Sequence, residues 1–227
     1  MHRLNREALA RLPAEVRRPD YDFQDVGVGI VHLGLGAFHR AHQAVFTEDA
    51  LSGGGPWGIL GVSLRHAAAS EALAAQDHLY TVETLANSMD YRVVAAIRAS
   101  LCAPTHRGHL RDTLASPQTH IVTLTATEKG YWLGADGALD FTRPEISRDL
   151  EFPNEPNSAI GWIVHGLAAR ATRPAQLRPV PVPPAGPGYD EFPRSRLVRI
   201  HQLRDRSGFG LKRISDCRHA PLENMVR

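Results

Sequence analysis

Along the chain, apolar residues fall into two alternating kinds of run. Short β-branched stretches at residues 26–33, 57–64, 79–85, 91–101 and 121–127 read as strands. Those at 26–33 and 121–127 are apolar enough to be buried on both faces of a parallel sheet. Between the strands, apolar positions recur at helical spacing. Leu4, Ala8, Leu9 and Leu12 predict a short amphipathic helix closed by Pro13, and Ala41, Ala44, Val45 and Leu51 predict one over 39–51 ended by Gly53, Gly54 and Gly55. An alanine-rich helix is expected over 67–76, and another through Ile160, Val164 and Leu167, capped by Asn157 or Ser158. Strands alternating with helices predict the α/β class, with a doubly wound, mostly parallel sheet that the runs at 79–85 and 91–101 extend.

The candidate chemistry sits where the first strand ends. Residues 30–43 read IVHLGLGAFHRAHQ, a buried-type strand running into two glycines and then a polar helix from about Phe38. Gly34 permits the tight turn, Gly36 lets the backbone approach a pyrophosphate, and the helix start offers its positive end to the phosphates. The third glycine of a G-x-G-x-x-G fingerprint is replaced by His39, so the pattern also fits a glycine-rich strand end with no ligand. The candidate cofactor-binding residues are Gly34, Leu35, Gly36, Ala37, Phe38 and His39, joined by Arg65, Thr127 and Glu128 at later strand ends.

At the end of the second strand, a carboxylate normally binds the adenine ribose. Here stand Ser63, Leu64, Arg65 and His66. Arg65 can face a 2′-phosphate, stack on adenine or be solvated. NAD is the expected cofactor, with NADP left open.

Composition adds boundaries. A hydrophobic content of 43% supports a sizeable core, and no apolar run reaches the length of a membrane span. The charged opening MHRLNREALARLP lacks the apolar centre of a signal peptide, so a cytoplasmic location is expected. Cys102 and Cys217 are too few for a disulfide framework, and Cys102 reads as a small buried thiol. Residues 1–172 carry 15 Lys+Arg against 19 Asp+Glu, whereas residues 173–227 carry 11 against 5 and half of the 16 prolines. A boundary near Thr172 follows, with a basic, irregular and poorly ordered tail over 173–227.

The wording after the glycines, G-x-G-x-F-H-R-A-H-Q, resembles the opening motif of the polyol-specific long-chain dehydrogenases, the family of mannitol 2-dehydrogenase and fructuronate (mannonate) reductase. LNREALARLP and PDYD ahead of it, and WGILGVSLR, AQDHLYT, TLTATEKGY and NSAIGW behind it, extend the resemblance over residues 3–172. The resemblance implies a Rossmann-like fold that binds NAD(P), His39 near the pyrophosphate, and Glu128 in proton passage or cofactor contact. A surface carboxylate is the competing reading of Glu128.

Beyond residue 172 the pattern departs. The family strand ending in an S-C-D-N-like motif is replaced by RPAQLRPVPVPPAGPG, and EFPRSRLVRI only echoes a family segment whose catalytic aspartate position falls on Val198. The resemblance also implies a catalytic lysine with Asn five and His eight residues later. Lys129 is followed at those offsets by Gly134 and Gly137, and Lys212 by Cys217 and Ala220. The expectation is a cofactor-binding part lacking its catalytic domain, ended by a frame disturbance or deletion, with polyol or hexuronate as substrate only of the longer relative.

Two alternatives compete. A non-catalytic module could use the basic tail to bind a partner or nucleic acid, although only Tyr189, Phe192 and Phe209 supply aromatics there. A short dehydrogenase complete in itself would need a Tyr-x-x-x-Lys dyad, which the tyrosines lack. His39 and His42 could suggest zinc, but no further ligands stand at usable spacing.

Overall fold

Strand-forming runs pair into two four-stranded sheets in the computed structural model, which describes residues 3–23, 25–85, 89–125, 128–171 and 197–201, with backbone alone at 85, 89, 128, 129 and 197–201. The strands are β1 (Val16–Arg17), β2 (Val28–Leu33), β3 (Gly58–Ser63), β4 (Tyr80–Leu85), β5 (Met89–Val94), β6 (Ile97–Cys102), β7 (Ile121–Leu124) and β8 (Leu197–His201). The helices are α1 (Ala37–Ala41), α2 (Gln43–Leu51), α3 (Ala68–Ala74), α4 (Arg107–Leu114), α5 (Pro144–Glu151) and α6 (Ala159–Ala171).

One sheet is wholly parallel and ordered β6-β3-β2-β7. The chain therefore starts in the middle, winds outward through β3 to β6, and then crosses to the other side of β2. The carboxyl end of β2 lies at the reversal of strand order, where open α/β sheets bind ligands. Period-two alternation divides the core: Ile30 and Ile59 face α2 and α3, joining Leu51 and Leu73, while Val31, Leu33, Leu60 and Val62 face α4 and α6, joining Leu110, Leu114 and Trp162. Leu33 and Val62 are fully enclosed, and each such side chain contributes roughly 1.5–3 kcal/mol. Ser158 Oγ accepts the Gly161 N–H at 2.9 Å and so caps α6, as its position before the apolar run predicts.

Several expectations are corrected. The 79–85 and 91–101 runs do not extend one sheet. β4 and β5 form an antiparallel hairpin in a second sheet ordered β1-β5-β4-β8, and the 91–101 run divides at Ala95 and Ala96, after which β6 joins the parallel sheet. The expected amphipathic helix over 5–12 is turns and one 3-10 stretch, Leu9–Arg11, although Leu4 is buried as its apolar face requires. β7 is less buried than its composition suggests, since Ile121 and Val122 are 37% and 40% exposed at the sheet edge. Beyond residue 171 the described structure holds the β8 backbone, antiparallel to β4 from Leu197 opposite Leu85 to His201 opposite Thr81. Val198 lies in that strand; Cys217, Lys212 and the PVPVPP stretch lie outside the described residues.

Candidate cofactor site

The site is built on the β2–α1 turn. Gly34 adopts φ +107°, and an added Cβ there would stand 2.4 Å from the Thr125 carbonyl oxygen, so glycine is required by the fold itself. The Gly34 and Leu35 N–H groups both donate to the Val62 carbonyl, at 2.9 and 3.0 Å, which ties the turn to β3. Leu35 then points inward over Gly61 of β3, where any Cβ would lie 2.6 Å from Leu35 Cδ1.

Gly36 differs. It is exposed, caps α1 from an extended backbone, and would bring a Cβ no closer than 3.7 Å to any other group. Among the described residues, the fold does not need glycine at this position. Ala37 and Phe38 are exposed beside it, and the first turn of α1 leaves the N–H groups of Ala37, Phe38 and His39 without intrahelical acceptors. The Gly36 N–H is already used by the Gly34 carbonyl at 2.6 Å, so the free donors belong to the following residues.

Beneath the turn lies a polar layer that sequence reasoning missed. His32, in the middle of β2, is fully buried and stacks on the equally buried His39, with ring centroids 3.4 Å apart and planes 10° from parallel. His32 Nε2 donates to the Gly34 carbonyl at 3.1 Å, which leaves Nδ1 to accept from Thr123 Oγ1 at 2.7 Å. Gln43 Nε2 donates in turn to Thr123 Oγ1 at 3.1 Å. The relay Gln43–Thr123–His32–Gly34 links α2, β7 and β2 to the turn. Burial pushes His32 down to about 4. Burial, with the His32 ring adding to it, pushes His39 down to about 3, so both rings are neutral near pH 7. Neither ring nitrogen of His39 has a hydrogen-bond partner among the described residues.

His39 thus contributes its backbone to the first turn of α1 while its ring faces the core. The helix expected over 39–51 is interrupted at His42, whose φ −122° and ψ −85° separate α1 from α2 and whose ring lies on Phe38 with Nδ1 donating to the Phe38 carbonyl at 2.9 Å. His39 and His42 therefore face different surroundings. Arg40 is buried, its carbonyl accepts the Tyr80 hydroxyl at 2.8 Å, and burial lowers its guanidinium below the usual range.

Of the remaining candidates, Arg65 lies exposed just after β3. Thr127 lies outside the described residues, and Glu128 opens a 3-10 turn, Glu128–Tyr131, of which its backbone alone is described. Cys102 is a buried free thiol at the end of β6, as expected. A concavity of about 530 Å³ lined by Val28, His109, Asp112 and Gln118 opens at the opposite, amino-terminal edge of β2 and takes no part in this arrangement. Among the described residues no helix is long and apolar enough to cross a membrane.

The signal for the hidden layer was a histidine interrupting an otherwise apolar strand. Its partners are 91 residues away in Thr123 and 7 in His39, and no local pattern brings them together.

Comparison with known proteins supports this architecture. Residues 28–182 match the family model described as the mannitol dehydrogenase Rossmann domain. The chain is 41% identical over 197 residues to mannitol 2-dehydrogenase of Cereibacter sphaeroides, covering 84% of this chain and 41% of that protein. It is 44% identical to D-mannonate oxidoreductase of Escherichia coli (strain K12), covering 68% of this chain and 33% of the relative. Among solved structures, the Pseudomonas fluorescens mannitol 2-dehydrogenase ternary complex with NAD and D-mannitol superimposes with a TM-score of 0.71 at 38% identity, over 75% of this chain and 36% of that one. The chain spans about two fifths or less of the length of these relatives. With its parallel sheet, its glycine turn at the strand-order reversal and a family match over most of its length, the chain belongs to the mannitol dehydrogenase family, whose Rossmann domain it carries.

Proposed function

We propose that this chain is the dinucleotide-binding part of a polyol or hexuronate oxidoreductase, holding a nicotinamide dinucleotide with its pyrophosphate over the Gly34–His39 turn. The observation that carries this reading is the contrast between two glycines. Gly34 is demanded by the fold, whereas Gly36 is an exposed position where, among the described residues, an added Cβ would meet nothing nearer than the Gly34 carbonyl oxygen at 3.7 Å. It stands at the carboxyl end of the central parallel strand, beside helix-start N–H groups that have no intrahelical acceptor and suit a pyrophosphate. The cofactor, when bound, supplies hydride transfer; the chain's residues bind and orient it.

The substrates named for the relatives, mannitol and mannonate, carry secondary hydroxyls, and their oxidation needs a base at the reacting hydroxyl. The family pattern supplies this from a Lys, Asn and His on one helix face, and neither Lys129 nor Lys212 of this sequence has that setting. Glu128 and Thr127 are proposed as contacts toward the nicotinamide side, because they follow the carboxyl end of β7.

Quenching or enhancement of reduced-cofactor fluorescence on titration tests the site. Weak binding is expected for the chain as it is, and Gly36→Val should abolish it while leaving the melting temperature unchanged, since the new side chain enters open space. Undiminished binding in that variant overturns the assignment of the turn. Absorbance at 340 nm with mannitol, fructose or mannonate should show no turnover above background; rates on the order of 1–1000 per second would reveal a base elsewhere.

A further inference from the structure

The carboxyl edge of the parallel sheet is free of acid where the adenosine half of a dinucleotide lies. No Asp or Glu occurs over residues 34–47 after β2, 64–70 after β3, or 103–111 after β6, although residues 1–172 as a whole carry more carboxylates than cations. The same three connections hold Arg40, Arg65, Arg107 and Arg111 together with five histidines, of which His109 lines the concavity at the opposite edge.

The arginines other than Arg65 are buried or engaged. Arg40 is buried, Arg107 donates to the Pro156 carbonyl and Asn157, and Arg111 pairs with Asp112. Arg65 is not. It is exposed immediately after β3, with no ion pair or hydrogen bond among the described residues, and His66 beside it is exposed as well. Glu71 on α3 is the first carboxylate to follow β3 and makes no ion pair with Arg65.

The position matters because β3 is the strand next to the glycine turn, joined to it through the Val62 carbonyl one residue before Ser63. In a βαβ dinucleotide unit this strand end meets the adenine ribose. A carboxylate there accepts from both ribose hydroxyls and repels a 2′-phosphate; a guanidinium does the reverse, offering a planar fork of donors to the phosphate oxygens. Lacking the carboxylate, the site gives up the anchor for an unmodified ribose. Carrying a free arginine, it gains a charge-assisted partner for a dianion.

We propose that Arg65, with His66 beside it, recognises a 2′-phosphate, so that the chain binds NADP(H) in preference to NAD(H). This rests on the reading of the Gly34–His39 turn as the pyrophosphate site, and it assigns the cofactor class that the turn alone leaves open.

Fluorescence titrations of the full chain with NADPH and NADH, and competition by 2′,5′-ADP against 5′-ADP, test it. NADPH should bind on the order of tenfold more tightly or better, and 2′,5′-ADP should compete more strongly than 5′-ADP. Arg65→Ala should bring the ratio near one by weakening NADPH alone, and Arg65→Asp should reverse the preference. Arg65 has no partner among the described residues, so neither variant should change the melting temperature. Equal affinities, tighter NADH, or an Arg65→Ala variant that weakens both cofactors alike overturns the proposal while leaving the glycine turn as a dinucleotide site. If neither cofactor binds and Gly36→Val changes nothing, both readings fall.

Discussion

His39 places two polar nitrogens in a fully buried position where no hydrogen bond of good geometry reaches them among the described residues, with the His32 ring stacked on one face and Gln43 close enough to interact. Burying such groups unsatisfied costs about 1–3 kcal/mol. His39→Leu, close in volume and without those nitrogens, should therefore leave stability at pH 7 within about 1 kcal/mol of the parent, or raise it. The acid side should respond more. Both histidines titrate near 6.5 when unfolded and at about 4 and 3 when folded, so from pH 6.5 down to about 4 the unfolded chain binds more protons. Their contribution is complete above pH 6.5 and is lost as pH falls toward those lower values, at about 1.4 kcal/mol per unit of depression for each group. Glu48, whose carboxyl is raised by burial, opposes this trend, so the comparison must be between variants. Melting temperatures measured from pH 7 to 4 should fall less steeply for His39→Leu than for the parent; parallel curves would show that the stacked pair does not titrate with unfolding.

At the scale of elements, the strand–turn–helix unit separates two kinds of glycine that look alike in sequence. Gly34→Ala must hold φ +107° and press its methyl onto the Thr125 carbonyl oxygen, so thermal unfolding should show a loss of a few kcal/mol, against no loss for Gly36→Ala. Equal effects at the two positions would mean that the turn adopts another shape. The unit was legible because its signal is local: β-branched residues, two glycines and a helical period within some twenty residues. The break at His42 was not, since Ala41, Ala44 and Leu51 stay buried on either side of it and the apolar period runs through it unbroken. The division between β5 and β6 was hidden for the same reason. Ala95 and Ala96 are both fully buried, so no polar residue marks where the chain leaves one sheet for the other, and partner choice depends on strands far away in sequence. Arg65 was identified as a candidate from its place after a strand; that it stands free at an acid-free edge required the topology.

Across the whole molecule, the two sides of the parallel sheet are finished differently. β2 and β3 are paired on both sides, whereas β7 has no strand beyond it among the described residues and shows Ile121 and Val122 to solvent. On α6, Trp162 and Gly166 pack inward, Gly166 so closely that a Cβ would lie 2.8 Å from Leu114 Cβ. Val164 and Leu167, three residues apart on that helix, are 60% and 61% exposed. Their apolar spacing located the helix, but it does not say which of the helix faces the described chain covers. An unpaired strand edge and an exposed aliphatic pair in one chain favour association. Sedimentation velocity should show reversible self-association that grows with protein concentration. The double substitution Val164→Glu with Leu167→Lys should suppress it without lowering the melting temperature, because side chains this exposed add at most about 0.5 kcal/mol to stability. A parent protein that stays monomeric as concentration rises would show that residues outside the described structure already cover this face. Suppressed association accompanied by a fall in melting temperature would instead mean that α6 packs the pair inward in solution.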